Sequence, residues 1–283
     1  MAIAAQPVWL VFNHASGSNE AERQAALRSD LEGAGFAIHG ETDFPDEPLP
    51  TAHLLDRKGI ALVAVFTGDG SINALVTHLA GWEGGVLVLP GGTMNLLSKR
   101  LHGDAGEDEI VARLTGNSAR LVRPGVIETS CGLGLSGVLA GPGASWGEVR
   151  EAMRDYDIPA MAEGAAHAIG ETTAGPRVRC IAPELGRDSG YPLILLSPHD
   201  DGIELAGYYA DDVADYAKQA AAISRRDFRN GPHETLGSHA RLVLGSENGS
   251  AIELLLDGES CEAGARVEFV LVESPVRLVA TVT

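Results

Sequence analysis

Cations are scarce in this chain. Its 21 Lys and Arg residues face 39 Asp and Glu, a formal net charge of -18. Neutralising nucleic-acid phosphates takes clustered Lys and Arg, so nucleic acid is not an expected partner. Electrostatic adhesion to an anionic membrane is disfavoured for the same reason. Cysteine is scarce too. Cys131, Cys180 and Cys261 stand far apart, with no CxxC and no metal-ligand spacing. Their odd number reads as buried free thiols in a reducing compartment. No apolar run reaches 18 residues, and "MAIAAQPVWLVFN" has neither a basic start nor a long apolar core. That predicts a soluble, cytoplasmic protein. A GxxxxGK[ST] loop is missing, which excludes a Walker-type ATPase, and no GxGxxG follows the first strand-like run, which argues against a dinucleotide-dependent dehydrogenase. Tandem repeats are absent, and the nine histidines form no HxxxH-type pair.

Apolar content, at 45% of 283 residues, is ample for one large or two smaller cores. Up to about residue 120, strand-like and helix-like segments alternate. "VWLVF", "FAIHGE", "GIALVAVF" and "GVLVLP" read as strands. "NEAERQAALRSDLEGAG", "SINALVTHLAG", "TMNLLSKRL" and "EDEIVARLTG" read as helices, with Ser71 and Thr93 as N-caps. Continuous apolar strands between helices predict a parallel sheet covered on both faces. Beyond residue 120 come short β-like runs separated by Asp201-Gly202, Asn248-Gly249 and Asp257-Gly258. The expected fold is an α/β domain over 1–122, with 274–283 as a candidate returning segment. A β-rich, antiparallel sandwich-like domain would follow over 123–273. Helices over "SWGEVREAM" (145–153) and "DDVADYAKQAAAISRRDF" (211–228) would interrupt the second.

Three of the early strands end in glycine-bearing loops: "NHASGS" (13–18), "TGDGS" (67–71) and "PGGTMN" (90–95). Each alone reads equally as a tight turn or a helix start. Together, at carboxyl ends of parallel strands, they read as a phosphate site. Glycine lets main-chain N–H groups approach phosphate oxygens, and the following helix N-terminus adds positive potential. "LDGE" (256–259), by itself, reads as an exposed Asp-Gly hairpin carrying incidental acid. Asp200 and Asp201 in "SPHDDG" read as a solvated turn, and "SRRDFR" (224–229) as a basic helix end.

"NHASG", "TGDGS" and "LPGGTMNLLSKRL" resemble, in order and separation, the three nucleotide-site motifs of the diacylglycerol kinase catalytic-domain family. "IELLLDGE" (252–259) resembles that family's late Leu-Asp-Gly-Glu turn. The resemblance spans nearly the whole chain, with 140–200 loosely matched. It implies an ATP- and Mg2+-dependent kinase acting on a hydroxyl of a diacylglycerol- or sphingoid-like amphiphile. Asn13, Ser16 and Gly17 would contact ATP. Thr67, Gly68, Asp69, Gly70 and Ser71 would hold phosphates, with Asp69 beside the metal. Gly92, Thr93 and Asn95 would complete the nucleotide pocket. Asp257 and Glu259 would stand across from the γ-phosphate, one of them as base.

The sequence departs from that pattern at several places. Thr67 replaces a glycine, and a β-branched residue resists φ > 0. His14 replaces a proline, Ser18, Asn19 and Glu20 follow where a basic residue is frequent, Lys99 replaces an arginine, and "INAL" lacks a glutamate. An enzyme like NAD kinase, which shares the acidic glycine loop and a β-rich second domain, is a second reading, and Thr67 with the missing basic residues keeps a third in view, a non-catalytic nucleotide-binding regulator of the same fold. A lipid or long-chain alcohol is the expected partner, with transient membrane contact. A homodimer is left open.

Overall fold

"GIALVAV" is apolar throughout because its strand is covered on both faces. Leu62 to Thr67 are all buried, and the neighbouring strands read the same way. A computed structural model describes residues 6–13, 20–92, 94–116, 118–141, 176–208 and 233–282. The helices expected over 145–153 and 211–228 lie outside these residues.

The elements of the first half are β1 (Pro7–Phe12), α1 (Glu20–Gly33), β2 (Ala37–Asp43), α2 (Ala52–Arg57), β3 (Leu62–Thr67), α3 (Asp69–His78), β4 (Gly85–Pro90), α4 (Leu96–His102), α5 (Glu107–Leu114) and β5 (Arg120–Val122). There follow β6 (Gly125–Thr129), β7 (Gly132–Gly134), β8 (Val138–Gly141), β9 (Val178–Ala182), β10 (Glu184–Leu185), β11 (Leu193–Pro198) and β12 (Ile203–Tyr208). The last are β13 (His233–His239), β14 (Arg241–Ser246), β15 (Ile252–Leu256), β16 (Glu259–Ala263), β17 (Arg266–Glu273) and β18 (Arg277–Ala280). Two compact units result, one of residues 1–124 with 273–283, the other of residues 125–272.

The first unit is α/β. Its sheet has the order β2-β1-β3-β4-β18-β5. Every neighbouring pair is parallel except β18 with β5. Leu10, Leu62, Ala64, Phe66, Leu87 and Leu89 share one core with Leu27 and Leu31 of α1 and Ile110 and Leu114 of α5. By strand alternation, Val63, Val65, Val86 and Val88 lie on the other face, all fully buried. Among the described residues, no helix is long and apolar enough to cross a membrane.

Both caps expected from sequence are corrected. Gly68 is the N-cap of α3, and Ser71 lies inside its first turn. Asn95 is the N-cap of α4, in the left-handed region at φ 52°. Serine and threonine were attractive as caps because their hydroxyls accept N–H bonds. Here the strand-to-helix turns are so tight that glycine and a left-handed asparagine make them instead.

The second unit is a sandwich of two six-stranded sheets, ordered β10-β9-β14-β17-β6-β7 and β13-β12-β11-β8-β15-β16. The pairs β10–β9, β9–β14, β14–β17 and β6–β7 of the first sheet, and every neighbouring pair of the second, are antiparallel. Leu242, Leu244 and Phe269 of one sheet pack with Ile194, Leu196 and Leu254 of the other in a single core. Asp257 (φ 48°) and Gly258 (φ 94°) form the two-residue turn joining β15 to β16, where two left-handed residues match the twist of a hairpin. The expectation of three free thiols is overturned. Cys131 and Cys261 form a disulfide, and Cys180 alone is a free, buried thiol. With the paired cysteines 130 positions apart, their spacing carried no sign of it.

Candidate active site

Three strand ends of the first unit meet, two through main-chain contact and the third through a side chain. β3 ends at Thr67 and β4 at Pro90, opposite each other in the parallel register. Gly91 and Gly92 then press on that strand end. A methyl on Gly91 would lie 2.5 Å from the Thr67 nitrogen, and one on Gly92 would lie 2.6 Å from the Gly68 Cα. Only glycine fits such an approach, so the second and third loops are in direct main-chain contact. From the first loop, Asn13 Nδ2 donates to Ser71 Oγ at 3.4 Å. Asn13, Gly68, Ser71 and Gly92 are thereby brought together. Ser16, Gly17 and Thr93 lie outside the described residues.

Thr67 does not bend the acidic loop. It is the last residue of β3, wholly buried and outside the positive-φ region, and its hydroxyl donates to the Gly68 carbonyl. The turn falls one residue later. Gly68 is extended (φ -77°, ψ 166°), and α3 begins at Asp69. The first amides of α3, at Asp69, Gly70 and Ser71, therefore face away from any intrahelical acceptor, as a helix start requires. Such amides suit an anion.

Asp69 works inside the site as a brace. Its carboxylate accepts N–H bonds from Leu96 (3.2 Å) and Leu97 (3.3 Å) at the start of α4. Burial pushes its pKa up, while the α4 amides and the Lys99 ammonium pull it back. Asn95 closes the third loop on itself, its Oδ1 accepting from Gly92 N at 2.7 Å and its Nδ2 donating to Gly92 O at 2.8 Å. Arg23 was not singled out in the sequence. Its guanidinium donates to the Pro90 carbonyl at 3.0 Å and to Glu107 at 2.9 Å, and covers the Phe66 ring at 4.7 Å. Nothing in "AERQ" distinguishes this arginine from a solvated one. Only the arrival of α1 beside the ends of β3 and β4 does.

A divalent cation fits this set only sparsely. Among the described residues, no three His, Cys, Asp or Glu side chains form a cage. Asp69 lies in the second loop itself, and its bonds from Leu96 and Leu97 leave further lone pairs on the carboxylate. One carboxylate plus nucleotide phosphates and water is an ordinary arrangement for Mg2+. The residues therefore suit a metal carried in with a nucleotide.

In the second unit, Asp257 is buried, unlike the exposed hairpin acid that its local sequence suggests. Its oxygens accept N–H bonds from Leu135 (2.7 Å) and Ser136 (2.8 Å). Glu259, two residues on, is exposed at the start of β16. The Leu135 and Ser136 amides could not be foreseen, because they stand more than a hundred residues earlier in the chain.

Residues 7–126 match the family model described as the diacylglycerol kinase catalytic domain. No curated protein matches the chain. Among solved structures, a diacylglycerol kinase from Bacillus anthracis str. Sterne superposes with a TM-score of 0.61 at 15% identity, covering 97% of this chain and 96% of that one. Another from the same organism, described as "a putative diacylglycerol kinase", gives 0.60 at 16% identity, covering 98% and 97%. At these identities the likeness is one of fold.

Proposed function

We propose, on the premise that residues 7–126 belong to the diacylglycerol kinase catalytic-domain family, that the chain is an ATP-dependent lipid kinase. It moves the γ-phosphate to a hydroxyl of a diacylglycerol- or sphingoid-like amphiphile. The observation that carries this reading is the close contact of the glycine loops. Gly92 lies against Gly68, and Asn13 bonds Ser71, beside the first turn of α3.

In this reading the amides of Asp69, Gly70 and Ser71 receive phosphate oxygens. Asn13, Ser16, Gly17, Thr93 and Asn95 complete the nucleotide site. Thr67 acts through the strand end, since its hydroxyl is spent on Gly68. Asp69 would hold Mg2+, which when bound neutralises phosphate charge. The acceptor O–H loses its proton to a carboxylate, its oxygen bonds the γ-phosphorus, and the bond to the β-phosphate oxygen breaks. We assign the proton to Glu259. Glu259 is exposed at the start of β16, whereas Asp257 is buried with both carboxylate oxygens engaged by the Leu135 and Ser136 amides.

The test offers labelled ATP with diacylglycerol, sphingoid base, ceramide, phosphatidylglycerol and NAD in parallel. Label on one of the lipids supports the reading. Label on NAD alone replaces it with an NAD kinase, and ATP binding without turnover replaces it with a regulator. Glu259→Gln is expected to lower kcat at least about a hundredfold with little change in KM for ATP. Near wild-type kcat in that variant removes Glu259 as base.

A further inference from the structure

Two attachments fasten the β15–β16 hairpin to one short stretch of chain. The first is the Asp257 carboxylate on the Leu135 and Ser136 amides. The second is the Cys131–Cys261 disulfide, whose Cα atoms stand 6.2 Å apart. Residues 131–136 thereby grip the hairpin at position 257 and again at position 261, and Glu259 stands midway between.

The strands concerned need such a grip. Among the described residues, β16 lies at the edge of its sheet beside β15, and β7, which starts one residue beyond Cys131, lies at the edge of the other sheet. A strand held by one ladder opens locally at low cost. A covalent link between the two edges removes that freedom, and with it most of the wandering of the Glu259 backbone. Cys131 and Cys261 are half-buried against the sandwich core, within reach of a small thiol. Cys180 is sealed in the same core, its thiol pushed up to about 11 by burial, and is ill suited to exchange.

We propose that Cys131 and Cys261 are positioning residues that form a thiol–disulfide switch on the hairpin bearing Glu259. Closed, the bridge fixes Glu259 for proton removal; open, it loosens the hairpin and slows transfer. This rests on the reading of Glu259 as base. Closure transfers two electrons and two protons from the two chain thiols to a small-molecule disulfide, which leaves as two thiols after a mixed-disulfide intermediate. Opening is the reverse, with a dithiol taking up the oxidation as its own disulfide.

The experiment compares full-length chain treated with oxidised glutathione and with dithiothreitol. Peptide mapping without reductant is expected to recover 131 linked to 261 in the first sample only. Reduction is expected to lower kcat about tenfold while KM for ATP stays within about twofold, because misplacing a catalytic group acts on the chemical step. Amide exchange at Leu135, Ser136 and 254–263 is expected to quicken, and re-oxidation to restore both readouts. Cys131→Ser should hold the slow, fast-exchanging state under either treatment, and Cys180→Ser should keep the full response. Absence of the linked peptide after oxidation, or identical amide exchange in the two samples, overturns the proposal. If no sample transfers phosphate, the base reading falls, and amide exchange still decides whether the bridge holds the hairpin.

Discussion

A single carboxylate, Asp69, joins two loops that the sequence presents as separate motifs. Its sequence context, Gly-Asp-Gly, marks a tight turn or a phosphate loop and does not choose between them. Its bonds to Leu96 and Leu97 add a third duty, the capping of α4. Asp69→Ala therefore leaves two helix-start amides without an acceptor and is expected to cost about 1–3 kcal/mol of stability. Asp69→Asn keeps an acceptor oxygen and should cost less than half as much. If Asp69 also holds the metal, both variants lose phosphoryl transfer, because the amide is a poor Mg2+ ligand. Thermal unfolding and a transfer assay on the two variants separate the duties. Equal melting temperatures in Ala and Asn would remove the capping role. What the sequence made legible here is residue type at strand ends. What it hid is the partner, since Leu96 and Leu97 are ordinary apolar residues whose contribution is main-chain N–H.

Helix α4 is short, and its far end is anchored in a buried polar cluster. His102 Nδ1 lies 3.0 Å from Thr281 Oγ1, just past β18, and Arg113 of α5 donates to the His102 carbonyl at 2.7 Å. Burial first, and then the Arg113 charge, lower the His102 pKa from 6.5 to about 4. The folded state thus holds this imidazole neutral while the unfolded chain protonates it. Stability from this group is complete above about 6.5 and falls as pH drops toward about 4, a loss of about 3 kcal/mol. His102→Asn keeps a polar atom near the Nδ1 position and does not titrate. Denaturant unfolding followed from pH 7 to pH 4 should be less steep in this variant than in the wild type; parallel curves would exclude His102 as the cause. Elements such as α4 were legible because strand and helix periods differ strongly over "GVLVLP" and "NLLSKRL". Their ends were not. Caps at Gly68 and Asn95 depend on how closely two loops pack, which no local propensity encodes. The short α2, β7 and β10 carry too few residues for any period to register.

At the scale of the molecule, the chain leaves its first unit after Pro124 and returns to it at Glu273. "VRLVATV" was legible as a strand, but which strands it would join was not. Its alternation says only that both faces are covered. In the structure β18 lies between β4 and β5 and is, among the described residues, the sole strand partner of β5. Val276, Leu278 and Val279 are completely buried, and Ser274 donates to the Pro124 and Val276 carbonyls. Burying three such side chains stabilises by roughly 5–8 kcal/mol, comparable with the whole stability of an ordinary domain at about 5–15 kcal/mol. A chain cut after Glu273 would also expose the edge of β4 and leave β5 without a ladder. It is therefore expected to lose the cooperative unfolding of the first unit and, with it, nucleotide binding, although none of the residues proposed for that site has been removed. A synthetic peptide of residues 274–283 should restore binding at high concentration, because the missing strand needs only its two neighbours. Retention of full nucleotide affinity by the cut chain, without the peptide, would mean that β1, β3 and β4 alone set the loop geometry and that the return of the chain is dispensable to it.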